Sequence, residues 1–155
     1  MQEKSGFVMV DILRMLSIAF QVHEKIADIS LVQADVLKRA DMTPGIRQVE
    51  LAEQMRMQPA KLGRIVDQLA EMGLLERRKP TNDQRVNGLF VTSAASENLK
   101  IIGDVIDELW VPAWKDIDPQ HVEIFRQVLL KIQHNLASHS DHPSIRRSTK
   151  PLLED

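Results

Sequence analysis

The spacing of apolar residues changes at Gly73. From Pro59 to Met72, Leu62, Ile65, Val66 and Leu69 recur at helical intervals, whereas Val86 to Thr92 alternate as a strand does. Gly73 stands where a helix takes a left-handed stop. After it, Leu74, Leu75 and Glu76 lead out in extended form, and Pro80-Thr81-Asn82-Asp83 supply turn chemistry before the returning strand. A hairpin therefore follows directly on a helix, and the rest of the chain must be arranged around that junction.

The segments on either side read as helices. Ser30 with Gln33 forms a capping-box pattern that predicts a helix from about Leu31 to Ala40, ended by Thr43, Pro44 and Gly45. A short helix fits Gln48 to Met55, with Val49, Leu51, Ala52 and Met55 inward. Pro59, at a first helical position where its missing N–H costs nothing, opens the next helix. Beyond the hairpin, Ala94 to Trp110 predicts a long helix with Leu99, Ile102, Val105, Ile106 and Leu109 inward, ended near Pro112. Asp118-Pro119 starts a last one with Val122, Phe125, Val128, Leu129, Ile132 and Leu136 on one side. The first helix, over 7–27, is apolar around more than half of its circumference: Phe7, Val8, Val10, Leu13, Leu16, Phe20, Val22 and Ile26 cannot all face one core. Its second apolar side fits a partner subunit.

Charge singles out the hairpin. The chain as a whole carries −2, yet Arg77, Arg78, Lys79 and Arg85 stand against Asp83 alone, while Glu97 to Asp118 is acidic. Two short helices, a tight connection and a basic hairpin, in that order, make a winged helix-turn-helix within a mainly α chain. Its second helix can enter a major groove and its basic tip an adjacent minor groove. Gln58, Lys61, Arg64 and Gln68 on the outer side of that helix are residue types that bond base edges and phosphates, and Arg77, Arg78 and Lys79 of the hairpin are expected to contact phosphates.

The stretches VELAEQMRMQPAKLGRIVDQLAEMGLLERR and DQRVNGLFVT resemble the MarR family of bacterial transcription regulators. The shared pattern is Leu51-Ala52, the run Arg64 to Leu69, the exit Gly73 to Arg77, and a wing with Asp83 and Arg85 before a strand closing on Thr92. The resemblance extends over residues 7 to 138. It implies a ligand-responsive repressor: an obligate homodimer held by its first and last helices, presenting two recognition helices to a pseudo-palindromic operator in double-stranded DNA. It divides the single 155-residue domain into dimerisation helices at 7–29 and 94–138, a DNA-binding lobe at 30–92 and a polar tail at 139–155. It also implies that Arg85 enters the minor groove and that Asp83 holds it by an ion pair. The chain departs from the family where Ser and Thr usually begin the recognition helix: here stand Gln58, Pro59, Ala60, Lys61 and Gly63. Arg47 replaces the expected cap of the Leu-Ala helix, and Ala95 a common glycine after Thr92.

Other chemistries find little in the sequence. Zero cysteines exclude disulfides and thiolate metal sites. His134, His139 and His142 raise the alternative of a metal-dependent sensor, but two of them lie in or beside the polar tail and carboxylates at helical spacing from His134 are absent, so no metal or cofactor is expected. His23 reads as a helix-surface residue. Trp110 and Trp114 flank Pro112 and read as core anchors, with an effector pocket as the sharper option. There is no Gly-rich phosphate loop, paired-carboxylate site or Ser/His/Asp set, so no enzyme is expected. A winged helix that binds protein instead of DNA is the other alternative. Neither a signal segment nor a membrane span is visible, and a cytoplasmic protein is the expectation.

Overall fold

The computed structural model describes residues 2–26, 28–79 and 87–139. Among these residues, six helices and one two-stranded antiparallel sheet follow in the order α1 (Gln2–Gln21), α2 (Leu31–Met42), α3 (Gln48–Gln54), α4 (Pro59–Glu71), β1 (Leu75–Arg78), β2 (Gly88–Val91), α5 (Ala95–Ala113) and α6 (Pro119–His139). No helix among the described residues is long and apolar enough to cross a membrane.

The core sits where α2, α3, α4, the sheet and the first half of α5 meet. Val36 and Leu37 of α2, Leu51 of α3, Leu62, Val66 and Leu69 of α4, Leu89 of β2 and Ile102 and Val105 of α5 are fully or almost fully buried there. Each comes from the apolar stripe of its own element, so helical periodicity alone aims them at one another. Val49 departs from its expected inward place and is exposed. It lies two positions before Leu51, some 200° around the helix, and so faces away from the side that Leu51, Ala52 and Met55 share.

Local chemistry sets the helix ends. The Ser30 hydroxyl accepts from the Gln33 N–H, and the Gln33 side chain accepts from the Ser30 N–H, which completes the expected capping box. Ser30→Ala should therefore cost about 1 kcal/mol in urea unfolding, without moving any apolar contact. At α3 the cap works differently: the Glu50 carboxylate accepts from the Arg47 N–H at 3.1 Å and pairs with the Arg47 guanidinium, which holds that carboxyl below its usual range. Arg47 thus stands at the cap through the acid three residues on.

α1 ends at Gln21, short of the expected 27, because the chain must turn to bring Ile26 and Ile29 into the core. His23 and Lys25 in that turn both bind Glu108 of α5, the His23 Nε2 at 3.0 Å from the carboxylate. Lys25 first, and His23 second, hold the Glu108 carboxyl below its usual range. His23 is thus a tie between α1 and α5, with its side chain mostly covered, and not a helix-surface residue. α5 in turn runs past its expected end and takes Pro112 into its last turn, closing with the Trp114 N–H on the Trp110 carbonyl at 3.1 Å. So near the end, the proline forfeits one backbone bond and leaves most of the helix untouched.

The outer helices are apolar where nothing in the chain covers them. Phe7, Val8, Val10 and Leu13 of α1, Val22 just beyond its end, and Phe125, Val128, Ile132 and Leu136 of α6, are exposed. The apolar side expected of α6 is thus largely uncovered in the single chain, with Val122 and Leu129 half-buried.

Candidate nucleic-acid interface

The interface begins at the junction of α4 with the sheet. β1 pairs β2 in the register Leu75↔Val91, Glu76↔Phe90, Arg77↔Leu89 and Arg78↔Gly88. The turn before α3 adds a third edge: Ile46 bridges Leu89, with the Gly45 N–H on the Leu89 carbonyl at 2.8 Å and the Leu89 N–H on the Ile46 carbonyl at 2.9 Å. Gly73 takes the left-handed conformation expected of it, φ +71°, and the Thr92 hydroxyl donates to its carbonyl at 2.7 Å. Helix end and strand end are thereby tied together. The expected strand from Val86 to Thr92 is described from Asn87 onward and pairs over Gly88–Val91.

α4 presents the outward face expected of a recognition helix. Gln58 caps it with extended backbone and without using its side chain, so its carboxamide stays available at the positive end of the helix. Ala60, Lys61 and Arg64 are exposed, and among the described residues neither Lys61 nor Arg64 has a side-chain partner. Gln68 is exposed, but its carbonyl accepts from the Gln33 side chain of α2 at 3.1 Å. It braces α2 against α4 and keeps only its own amide donors for another partner.

The basic run on β1 divides in three. Arg77 is engaged within the protein: it donates to the Asp67 carboxylate of α4 at 2.7 Å and to the Gln48 side-chain oxygen of α3 at 3.0 Å. Arg78 lies over the Phe90 ring, 4.0 Å from its centroid, and pairs with Glu76 at 3.4 Å. Lys79 is exposed at the end of the strand. Asp83 and Arg85 lie outside the described residues. Sequence reasoning gave no role to Gln48 or Asp67. The available signal was Gly63, four positions before Asp67 on the same helix face, where a Cβ would stand 3.3 Å from the Gln48 amide nitrogen.

A second feature lies away from this face. Trp110 and Trp114 stack with ring centroids 5.6 Å apart, and Trp114 meets Phe125 edge-on at 5.9 Å. They stand outside the buried core, contrary to the core-anchor expectation. Together with Leu13, Leu16 and His121 they wall a cavity of about 550 Å³ between α1, α5 and α6. The reason is geometric: α5 carries both indoles past the point where the lobe ends, so only α1 and α6 remain to meet them. Of the three histidines that raised the metal-sensor alternative, His134 and His139 lie on α6, where His139 Nδ1 hydrogen-bonds the Asn135 carbonyl oxygen. His142 is outside the described residues.

Residues 29–86 match the family model described as "MarR family". Solved structures with the same fold include the MepR–DNA complex of S. aureus, at TM-score 0.75 and 16% identity, covering 84% of this chain and 97% of that one. The PcaV regulator of Streptomyces coelicolor, in complex with its natural ligand, is similar at TM-score 0.69 and 17% identity, with 83% and 91% covered. MarR itself is similar at TM-score 0.70 and 23% identity, with 84% and 88% covered. With the Leu51-Ala52 helix, the Arg64-to-Leu69 run and the hairpin packed as a winged helix-turn-helix, residues 29–86 match the MarR family model and the chain shares the fold of these solved structures.

Proposed function

We propose that this protein is a sequence-specific DNA-binding transcription regulator that acts as a cytoplasmic homodimer. α4 lies in a major groove, and the hairpin, whose sequence includes Asp83 and Arg85, reaches the adjacent minor groove. The observation that carries this reading is the pair Lys61 and Arg64, without side-chain partners among the described residues, on the exposed face of α4 beside Gln58 at its positive end. Long cations left unpaired on one helix face suit phosphate oxygens and guanine edges. The match of residues 29–86 to the MarR family model, and the likeness in fold to a MepR–DNA complex, support it.

The exposed apolar faces of α1 and α6 supply the dimer contact, which leaves residues 30–92 of each subunit free to read one half-site. The cavity beside Trp110 and Trp114 is the place for an effector, a reading supported by the ligand complex of PcaV. A molecule seated between α1, α5 and α6 touches the helices that set the spacing of the two recognition helices, so its binding couples to DNA through dimer geometry. Release from an operator gives repression relieved by the ligand. The reading assigns no catalytic residue.

The test is selection of bound sequences from a pool of random duplexes, followed by affinity measurements on the best of them. Lys61→Ala and Arg64→Ala should each weaken binding by about tenfold, within the 1–3 kcal/mol expected of a base contact, or lower the salt slope by about one where the contact is a phosphate. Unchanged affinity and slope in both variants would remove α4 from the interface.

A further inference from the structure

We propose that Arg77 is a positioning residue for DNA recognition: it braces the wing against the helix pair, and it does not contact phosphate. This rests on the DNA reading above. Three elements meet at its guanidinium, which takes Asp67 from α4 and Gln48 from the first turn of α3 while itself standing on β1. A planar fork satisfied by acceptors on two different helices tolerates little rotation of the strand that carries it. Any swing of β1 breaks at least one of these bonds and disturbs its pairing with β2.

The surroundings are shaped for this contact. Gly63 leaves the space in which the Gln48 amide lies, and a larger side chain would press on it. Leu75 at the base of β1 is buried, so the strand is held at one end by the core and along its length by Arg77. Asp67 is more than half exposed and one turn on from Arg64, on the outward side of α4. Alone, that carboxylate would repel a phosphate backbone; paired with Arg77 it does not. A pair this exposed adds little to folding, so its worth lies in geometry.

Bracing and phosphate contact predict opposite results for Asp67→Asn. The experiment compares Arg77→Ala, Asp67→Asn and the double variant on the best selected duplex over a salt series, at a temperature where circular dichroism shows every variant folded. Bracing predicts that each single change weakens binding about tenfold, that the double variant is no weaker than either, and that the salt slope is unchanged. A phosphate contact predicts tighter binding by Asp67→Asn and a slope shallower by about 0.9 for Arg77→Ala, and either result would overturn the proposal. A second readout needs no DNA: amide hydrogen exchange over Gly88–Val91 should quicken in both single variants while the global melting temperature holds. Should the unsubstituted protein bind no duplex, the DNA reading falls by itself, and unchanged exchange would then reject the bracing as well.

Discussion

Gly88→Ala should disable the wing. A Cβ on residue 88 would stand 2.5 Å from the Gly45 carbonyl oxygen and 2.8 Å from both its carbonyl carbon and its Cα, all of them backbone atoms. No rotamer change relieves a clash with backbone. To make room, the turn before α3 has to leave β2, which breaks the Gly45–Leu89 and Leu89–Ile46 hydrogen bonds. Gly45 cannot yield easily, since it holds φ +84° and the Phe90 ring lies 3.1 Å from where its own Cβ would be. The expected cost is about 3 kcal/mol, at the upper end for inserting one carbon into a packed site. It should appear as a melting temperature lower by roughly 10 °C. A melt identical to that of the unsubstituted protein would show that the turn before α3 does not seat on β2.

Phe7→Asp combined with Leu136→Asp should separate the subunits. Both side chains are more than 60% exposed on the outer helices, so neither contributes to the core of the single chain, and the variant should keep its helical content. In the proposed dimer each charge is buried against apolar neighbours without a partner, and two copies of each act together. Sedimentation should show a dimer become a monomer. Operator affinity should fall by about 100-fold or more, because one bound half-site no longer raises the effective concentration of the other. A variant that stays dimeric would place the interface elsewhere.

Much of the fold was legible in the sequence because it follows from periodicity and punctuation. The α4 stripe of Leu62, Ile65, Val66 and Leu69 is buried as its spacing predicts, and the Ser30–Gln33 capping box forms as read. What periodicity does not carry was misplaced. Val49 is apolar and lies next to the inward set of a helix only two turns long, where a single position decides the face. The end of α1 depends on where Ile26 must go, which is a tertiary demand invisible in a continuous apolar run. Trp110 and Trp114 were read as core because large aromatics usually are, but their burial depends on which helices lie beyond the lobe.

The candidate site shows the same division. Residue type and helix face were enough to put Lys61 and Arg64 outward and Gln58 at the helix start. They were not enough to distinguish Arg77 from Arg78 and Lys79, since three consecutive cations in a strand differ only in what the pleat turns them toward. Arg77 meets Asp67 and Gln48, residues 10 and 29 positions away, and no local pattern encodes those contacts.

A dimer that reads DNA through charged side chains must lose affinity as salt rises. The most direct test is fluorescence anisotropy with the promoter duplex beside its own gene and with a random duplex of equal length, each titrated at several salt concentrations between about 50 and 200 mM. The expected result is two chains per duplex, clear preference for the promoter, and affinity that falls steeply and linearly on a log–log plot against salt. Weak binding to both duplexes with a shallow slope would contradict it, because cations meeting phosphates must release counterions.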